Sequence, residues 1–213
     1  MKCCKEMMRL YAVSDRSWTQ GTTLYNQIEQ ALKGGVTCVQ LREKGMDEES
    51  FIQEAIEIGK LCHAYNVPLI INDQVQVAIK AKADGVHVGQ DDMSVAQVRQ
   101  LVGPDLFIGV SAHNTEEAVA AVRGGADYLG TGAVFGSKTK NNVTPLSAET
   151  LRQITSSVDV PVVAIGGINE NNIEKLTGSG VDGVAVVSAI FAAEDIEAQC
   201  RKLKELSERM VQG

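Results

Sequence analysis

The chain has 213 residues, which at ~150 residues per domain predicts one domain over residues 1–213. Its 44% hydrophobic and 22% charged content is ordinary globular composition and excludes a disordered chain. Twenty basic against 27 acidic residues, a net charge of −7, argue against a general nucleic-acid or membrane-surface binder while leaving room for a local basic pocket.

From the N-terminus, MKCCKEMMRL lacks the apolar stretch of a signal peptide. A first strand is expected at Leu10–Ser14, and Leu24, Ile28, Ala31 and Leu32 then fall at the spacing of one helix face. Strand Cys38–Leu41 is followed by an N-cap at Asp47 and a helix face of Phe51, Ala55, Ile58 and Cys62. Strands Pro68–Ile71 and Gly85–Val88 come next, then an N-cap at Ser94. Phe107–Val110 precedes an N-cap at Asn114, and Tyr128–Gly130 precedes one at Ser147. Pro161–Ile165, Gly183–Val187 and a closing helix marked by Ile196, Cys200 and Leu203 complete the series. The longest apolar runs, such as 181–190, fall far short of the ~20 residues that span a bilayer, so a soluble, cytoplasmic protein is expected. The odd count of five cysteines, without CxxC spacing, predicts reduced thiols, three of them (Cys38, Cys62, Cys200) at apolar positions.

Several strands read as continuous apolar runs, as parallel strands covered on both faces do. Eight strand-plus-helix units of about 27 residues each predict an α/β fold, a (β/α)8 TIM barrel. A weak repeat supports closure: GGVTCV (34–39), AKADGVHV (81–88), GGADYLG (124–130) and SGVDGVAV (179–186) precede every second strand. The alternative, a doubly wound open sheet, would want a Gly-rich fingerprint after the first strand, and VSDRSW is not one.

In such barrels the working residues lie at the C-terminal strand ends. Arg42 and Lys44, alternate residues at one strand end, suit a diphosphate, with Gln40 polar in the same phase; a rim ion-pair network with Glu43 and Asp47 is the bland alternative. Asp73 and Asp92 end adjacent strands and can share one Mg²⁺ with substrate oxygens and water; Asp91 is the other candidate ligand, and capping is the other role for Asp92. Gly166-Gly167 before an expected helix start, and Ser188 opening a helix, resemble the phosphate site after strands seven and eight of many barrels, though a tight turn alone also needs glycines. Ser137, Lys138, Thr139 and Lys140 form a basic, hydroxyl-bearing loop between the two anion sites. Together these predict two phosphorylated small-molecule substrates, or one with phosphates at both ends.

Of the histidines, His87 reads as a satisfied interior residue and His63 as structural. His113 follows Ser111 without a GxSxG elbow, which excludes a serine hydrolase of that kind. Trp18 and Tyr11 offer ring surface to a planar substrate or simply cover the barrel.

These residues together resemble the thiamine phosphate synthase (thiamine-phosphate pyrophosphorylase) family. The resemblance runs from Tyr11 to Ile190 through QLREK at 40–44, IND at 71–73, GVHVGQxD at 85–92, GVSAH at 109–113, TK at 139–140, IGGI at 165–168 and VSAI at 187–190. It implies a (β/α)8 barrel joining 4-amino-2-methyl-5-pyrimidinylmethyl diphosphate to a (carboxy)thiazole phosphate with release of pyrophosphate. It puts Gln40, Leu41, Arg42, Glu43, Lys44 and Asn72 on the pyrimidine diphosphate, Asp73 and Asp92 on Mg²⁺, and Ser111 and Lys140 as catalytic contacts to pyrimidine and diphosphate. Ser137, Lys138, Thr139, Gly167, Val187 and Ser188 fall on the thiazole phosphate site. The chain departs from the family in reading INDQVQVA where INDRVDVA is usual, and in Gly136 where the loop often has proline.

Two other functions compete. A thiazole tautomerase on the same barrel would need neither metal nor diphosphate, and His113 is the nearby acid–base candidate. A non-catalytic barrel sensing a thiamine precursor would use the same binding residues. The retained Asp73, Asp92, Arg42 and Lys44 favour the synthase; neither nucleic acid nor membrane is expected as a partner, and the reading leaves a homo-oligomer open.

Overall fold

A computed structural model describes residues 3–19, 21–136 and 145–213. Eight parallel strands close into a barrel in chain order. They are β1 Leu10–Val13, β2 Cys38–Leu41, β3 Leu69–Asn72, β4 Gly85–Val88, β5 Phe107–Ala112, β6 Tyr128–Gly132, β7 Val162–Ile165 and β8 Gly183–Val186. Because β1 pairs with β8 as well as β2, none of them is left as an open edge. The α-helices are α1 Leu24–Lys33, α2 Glu48–Ala64, α3 Val75–Ala81, α4 Val95–Val102, α5 Thr115–Arg123, α6 Ala148–Ser156, α7 Ser188–Phe191 and α8 Ile196–Gln212. The (β/α)8 TIM barrel expected from the alternating pattern is the fold.

Local chemistry sets the helix starts. Asp47 Oδ1 accepts the Ser50 N–H at 3.0 Å, Asn114 Oδ1 that of Glu117 at 2.8 Å, and Ser147 Oγ that of Thr150 at 3.0 Å. Ser94 forms a capping box with Gln97. Each supplies an acceptor to a first-turn N–H that the helix itself leaves unpaired. The apolar helix faces pack on the outward strand residues, so the larger core is a ring between strands and helices. Inward residues, among them Tyr11, Cys38, Ile70, Phe107, Tyr128, Val163 and Ala185, make a second core inside the barrel. Beneath it, the 3-10 turn Lys5–Met8 closes the N-terminal mouth with buried Met8. The thiols at 3, 4, 38, 62 and 200 are all free, and burial pushes those of Cys3, Cys62 and Cys200 up to about 12.

The sequence repeat has a structural cause at this closed end. Thr37 Oγ1 accepts the Leu10 N–H at 2.9 Å, and Asp84 Oδ2 the Leu69 N–H at 2.8 Å. Asp127 Oδ2 takes the Ile108 N–H at 2.8 Å, and Asp182 Oδ2 the Val162 N–H at 3.0 Å. One acceptor ahead of each even-numbered strand thus satisfies a backbone donor at the start of the odd-numbered strand before it. His63, Arg99 and Lys5 pair with Asp84, Asp127 and Asp182 at 2.8, 2.5 and 2.9 Å. His63 is structural, as its sequence position suggested.

The bounds of β1, β3, β7 and β8 differ from expectation by one residue, and larger departures occur at β5, at β6 and after β7. β5 and β6 each run two residues further than predicted, because Ser111 and Ala112 pair with Gly130 and Thr131; a polar residue facing the interior does not end a strand. After β7 the expected helix is reduced to a 3-10 turn, Ile173–Leu176. The intervening asparagines bond the backbone instead: Asn172 Nδ2 donates to Gly167 O at 2.9 Å, and Asn172 Oδ1 accepts the Asn169 N–H at 2.9 Å. Such local bonds compete with the helix ladder.

Candidate active site

The polar strand ends gather at the C-terminal mouth. Asn72 closes β3 and stands in register with His87 of β4. Asp73 follows with a left-handed backbone (φ 61°), its N–H bonded to His87 O at 2.8 Å. Asp92 reaches the same place from the β4 loop, where its Oδ2 accepts the Gly89 N–H at 2.7 Å. The capping role considered for Asp92 is therefore turned onto its own loop rather than onto α4. Desolvation first, and the adjoining Asp92 carboxylate second, hold the Asp73 carboxyl above its usual range; Asn72 and the Arg42 charge act in the opposite direction. The structure thus brings Arg42, Asn72, Asp73 and Asp92 together.

Arg42 is half-buried, and its backbone is pinned where its N–H donates to the fully buried Ser14 Oγ at 2.9 Å. Lys44 is exposed. Between them Glu43 turns away: its Oε2 accepts Arg16 Nε at 2.6 Å, Arg16 also pairs with Glu54, and Glu43 Oε1 is buried without a partner among the described residues. The ion pair considered with Arg42 or Lys44 is made with Arg16 instead. Leu41 is fully buried in the ring between strands and helices. Leu41 and Glu43 can therefore offer a substrate their main chain, not their side chains.

Gln40 and Ser111, on strands that do not pair, are linked through the barrel interior. Gln40 Nε2 donates to Tyr11 Oη at 2.9 Å, and Tyr11 Oη meets Tyr128 Oη at 2.7 Å. Tyr128 Oη meets His87 Nδ1 at 3.1 Å, and His87 Nε2 meets Ser111 Oγ at 3.0 Å. Gln90 Nε2 fixes the Ser111 carbonyl at 2.6 Å. Tyr11 is buried at 1% exposure, so of its two suggested roles it fills the barrel and offers no ring to a substrate. Tyr128 was missed in sequence. Its signal was the glycines beside it: a Cβ at Gly109 would lie 2.1 Å from the Tyr128 ring, and one at Gly130 would lie 3.0 Å from His87.

On the far side of the mouth, Gly166 and Gly167 have positive φ (107° and 66°). The β6 loop packs directly on them, with Val134 N–H on Ile165 O at 2.9 Å and Phe135 N–H on Gly166 O at 3.0 Å. A Cβ at Gly167 would lie 2.7 Å from Phe135 O, so backbone approach accounts for both glycines. Val187 caps α7 and Ser188 opens it, both half-buried at the end of β8. Ser137, Lys138, Thr139 and Lys140 lie outside the described residues. His113 is engaged elsewhere: its Nδ1 and backbone N–H both meet Glu117 Oε2, at 2.9 and 2.8 Å, in the cap of α5. Gln74 and Gln76 are exposed at the start of α3.

Comparison with known proteins places the chain among relatives. Residues 10–190 match the thiamine monophosphate synthase family. The chain is 47% identical to the thiamine-phosphate synthase of Clostridium acetobutylicum, over 93% of this chain and 94% of that one. It is 49% identical to that of Chloroflexus aurantiacus, over 93% and 92%. The solved thiamine phosphate pyrophosphorylase of Pyrococcus furiosus superposes with a TM-score of 0.89 at 35% identity, covering 97% and 98% of the two chains.

Proposed function

The chain belongs to the thiamine monophosphate synthase family, and on that premise we propose that it couples a pyrimidinylmethyl diphosphate to a thiazole phosphate, releasing pyrophosphate. The observation that carries this reading is the convergence of the Asp73 and Asp92 carboxyls beside Arg42 at the mouth. Two repelling carboxylates held together by the fold are an oxygen donor set for a hard divalent cation. Among the described residues no group of three or more His, Cys, Asp or Glu side chains gathers as a metal site. Two carboxylates completed by substrate and water oxygens is the form in which proteins usually hold Mg²⁺, so the residues fit that ion. Bound there, Mg²⁺ would add positive charge against a leaving diphosphate.

The protein residues divide the remaining work. Arg42 and Lys44 take the diphosphate oxygens, joined by Lys140, and stabilise the charge that develops as the methylene C–O bond breaks. The pyrimidine amino group feeds electrons to the methylene cation, and the thiazole nitrogen then attacks the same carbon. Gln40, Asn72 and Ser111 hold the pyrimidine ring, and the main chain at 41 and 43 lines the same side. Ser137, Lys138, Thr139, Gly167, Val187 and Ser188 hold the thiazole phosphate. Most of the rate enhancement then comes from positioning and electrostatics rather than covalent catalysis. The isomerase reading has less support, because a metal-independent isomerisation gives the paired Asp73 and Asp92 carboxyls beside Arg42 no role. An assay of pyrophosphate release tests the proposal: release that requires both substrates supports it, and metal-independent isomerisation of the thiazole phosphate without coupling overturns it.

A further inference from the structure

We propose that Tyr128 is a positioning residue for this reaction: its hydroxyl, between Tyr11 and His87, couples Gln40 to Ser111 so that two side chains on non-neighbouring strands are oriented as one unit. The inference rests on the reading that Gln40 and Ser111 face the pyrimidine.

The chain of bonds has a direction. Gln40 Nε2 donates to Tyr11 Oη, which leaves the Tyr11 proton for Tyr128 Oη at 2.7 Å. Tyr128 then donates to His87 Nδ1 at 3.1 Å, and His87 must carry its proton on Nε2, where it donates to Ser111 Oγ at 3.0 Å. Two consequences reach the mouth. Gln40 keeps its Oε1 as an acceptor, suited to an exocyclic amino group. Ser111 has one lone pair occupied by His87 and keeps its own proton to donate, suited to a ring nitrogen. A heterocycle presenting an amino donor next to a ring acceptor is what this polarity recognises.

The barrel has been hollowed for the chain. Tyr11 and Tyr128 are essentially fully buried, with ring centroids 5.9 Å apart, and Tyr128 lies 5.6 Å from the His87 ring. Gly109 is required for the rings to lie where they do, and a Cβ at Gly130 would crowd His87. Branched apolar side chains usually fill this space in such barrels. A polar chain in their place is tolerated because each link finds a partner, and a fully bonded network fixes rotamers and tautomers.

The test uses the full chain with Mg²⁺ and compares wild type, Tyr128→Phe, Ser111→Ala and the double variant. Turnover is read by pyrophosphate release, and binding of the pyrimidine diphosphate alone by calorimetry. Tyr128→Phe should weaken pyrimidine diphosphate binding by about 10-fold, the scale of one hydrogen bond. Its KM for the thiazole phosphate should stay within about twofold of wild type, as expected for an uncoupled site. The double variant should lose distinctly less than the product of the single losses. Unchanged binding, fully multiplicative losses, or equal weakening toward both substrates would overturn the proposal. Should Tyr128→Phe not fold, Tyr11→Phe removes the neighbouring hydroxyl and carries the same expectations. Calorimetry also separates the two claims: a wild type that binds the diphosphate without turning it over would contradict the synthase reading and still test the coupling.

Discussion

A Cβ built on Gly109 would lie 2.1 Å from Cζ of Tyr128, so the strand passes beneath that ring only because position 109 has no side chain. Gly109→Ala should therefore push on Tyr128 and His87 together and destabilise by about 3 kcal/mol, the upper part of the range for overpacking a core. In a chain of this size the melting temperature should fall by about 2–4 °C per kcal/mol. An unchanged Tm would mean that the rings have room to move.

Gly59→Ala should do the opposite. Gly59 lies inside α2, and its Cβ would meet only Leu69 Cδ2, at an ordinary 3.5 Å. Removing a mid-helix glycine stabilises by roughly 0.5–1 kcal/mol. Chemical denaturation should show a higher midpoint at constant slope.

Asp182 separates stability from activity. Its Oδ2 accepts the buried Val162 N–H at 3.0 Å and its Oδ1 pairs with Lys5 at 2.9 Å, at the barrel end away from the mouth. Asp182→Ala leaves that donor unsatisfied, and a loss of about 1–3 kcal/mol is expected. Turnover at temperatures where the variant is folded should match wild type; a selective loss of kcat would contradict the division of the barrel into a structural and a working end.

The Asp73–Asp92 pair predicts a pH dependence. The Asp73 carboxyl is raised by desolvation and then by Asp92, so the folded chain holds this proton more tightly than the unfolded one. The stability it contributes is full below the unfolded value of about 3.9 and is lost as pH rises through the raised folded value. In chelator, wild-type Tm should decline over that window, and Asp73→Asn should remove this part of the decline. Mg²⁺ at neutral pH should raise Tm in wild type and not in the variant. Equal slopes in the two proteins would place the repulsion elsewhere.

Strands, helix faces and the N-caps at 47, 94, 114 and 147 were legible because each depends on residues near in sequence, although the caps at Thr23 and Asp195 were not picked out. The acidic pair was legible too, since consecutive parallel strands must put 73 and 92 at neighbouring ends. The link from Gln40 to Ser111 was not. It depends on which inward side chains meet across a closed barrel, and that is set by the inter-strand stagger rather than by local spacing. The same holds for Glu43, whose partner Arg16, itself shared with Glu54, comes from outside its own loop. The turn after β7 was misread because Gly-Gly before a polar run suggests a helix start, whereas Asn169 and Asn172 use their amides on the backbone.

The most direct test of the synthase reading is pyrophosphate release against Mg²⁺ concentration in wild type, Asp73→Asn and Asp91→Asn, with both substrates present. Asp73→Asn preserves size and removes one charge, and turnover should fall by ~10²-fold or more, as when a stabiliser of developing charge is lost. Asp91→Asn should change far less, because the neighbouring Asp92 is the carboxylate that meets Asp73. Near-normal turnover of Asp73→Asn with an unchanged Mg²⁺ dependence would contradict the metal assignment, and with it the mechanism proposed for this barrel.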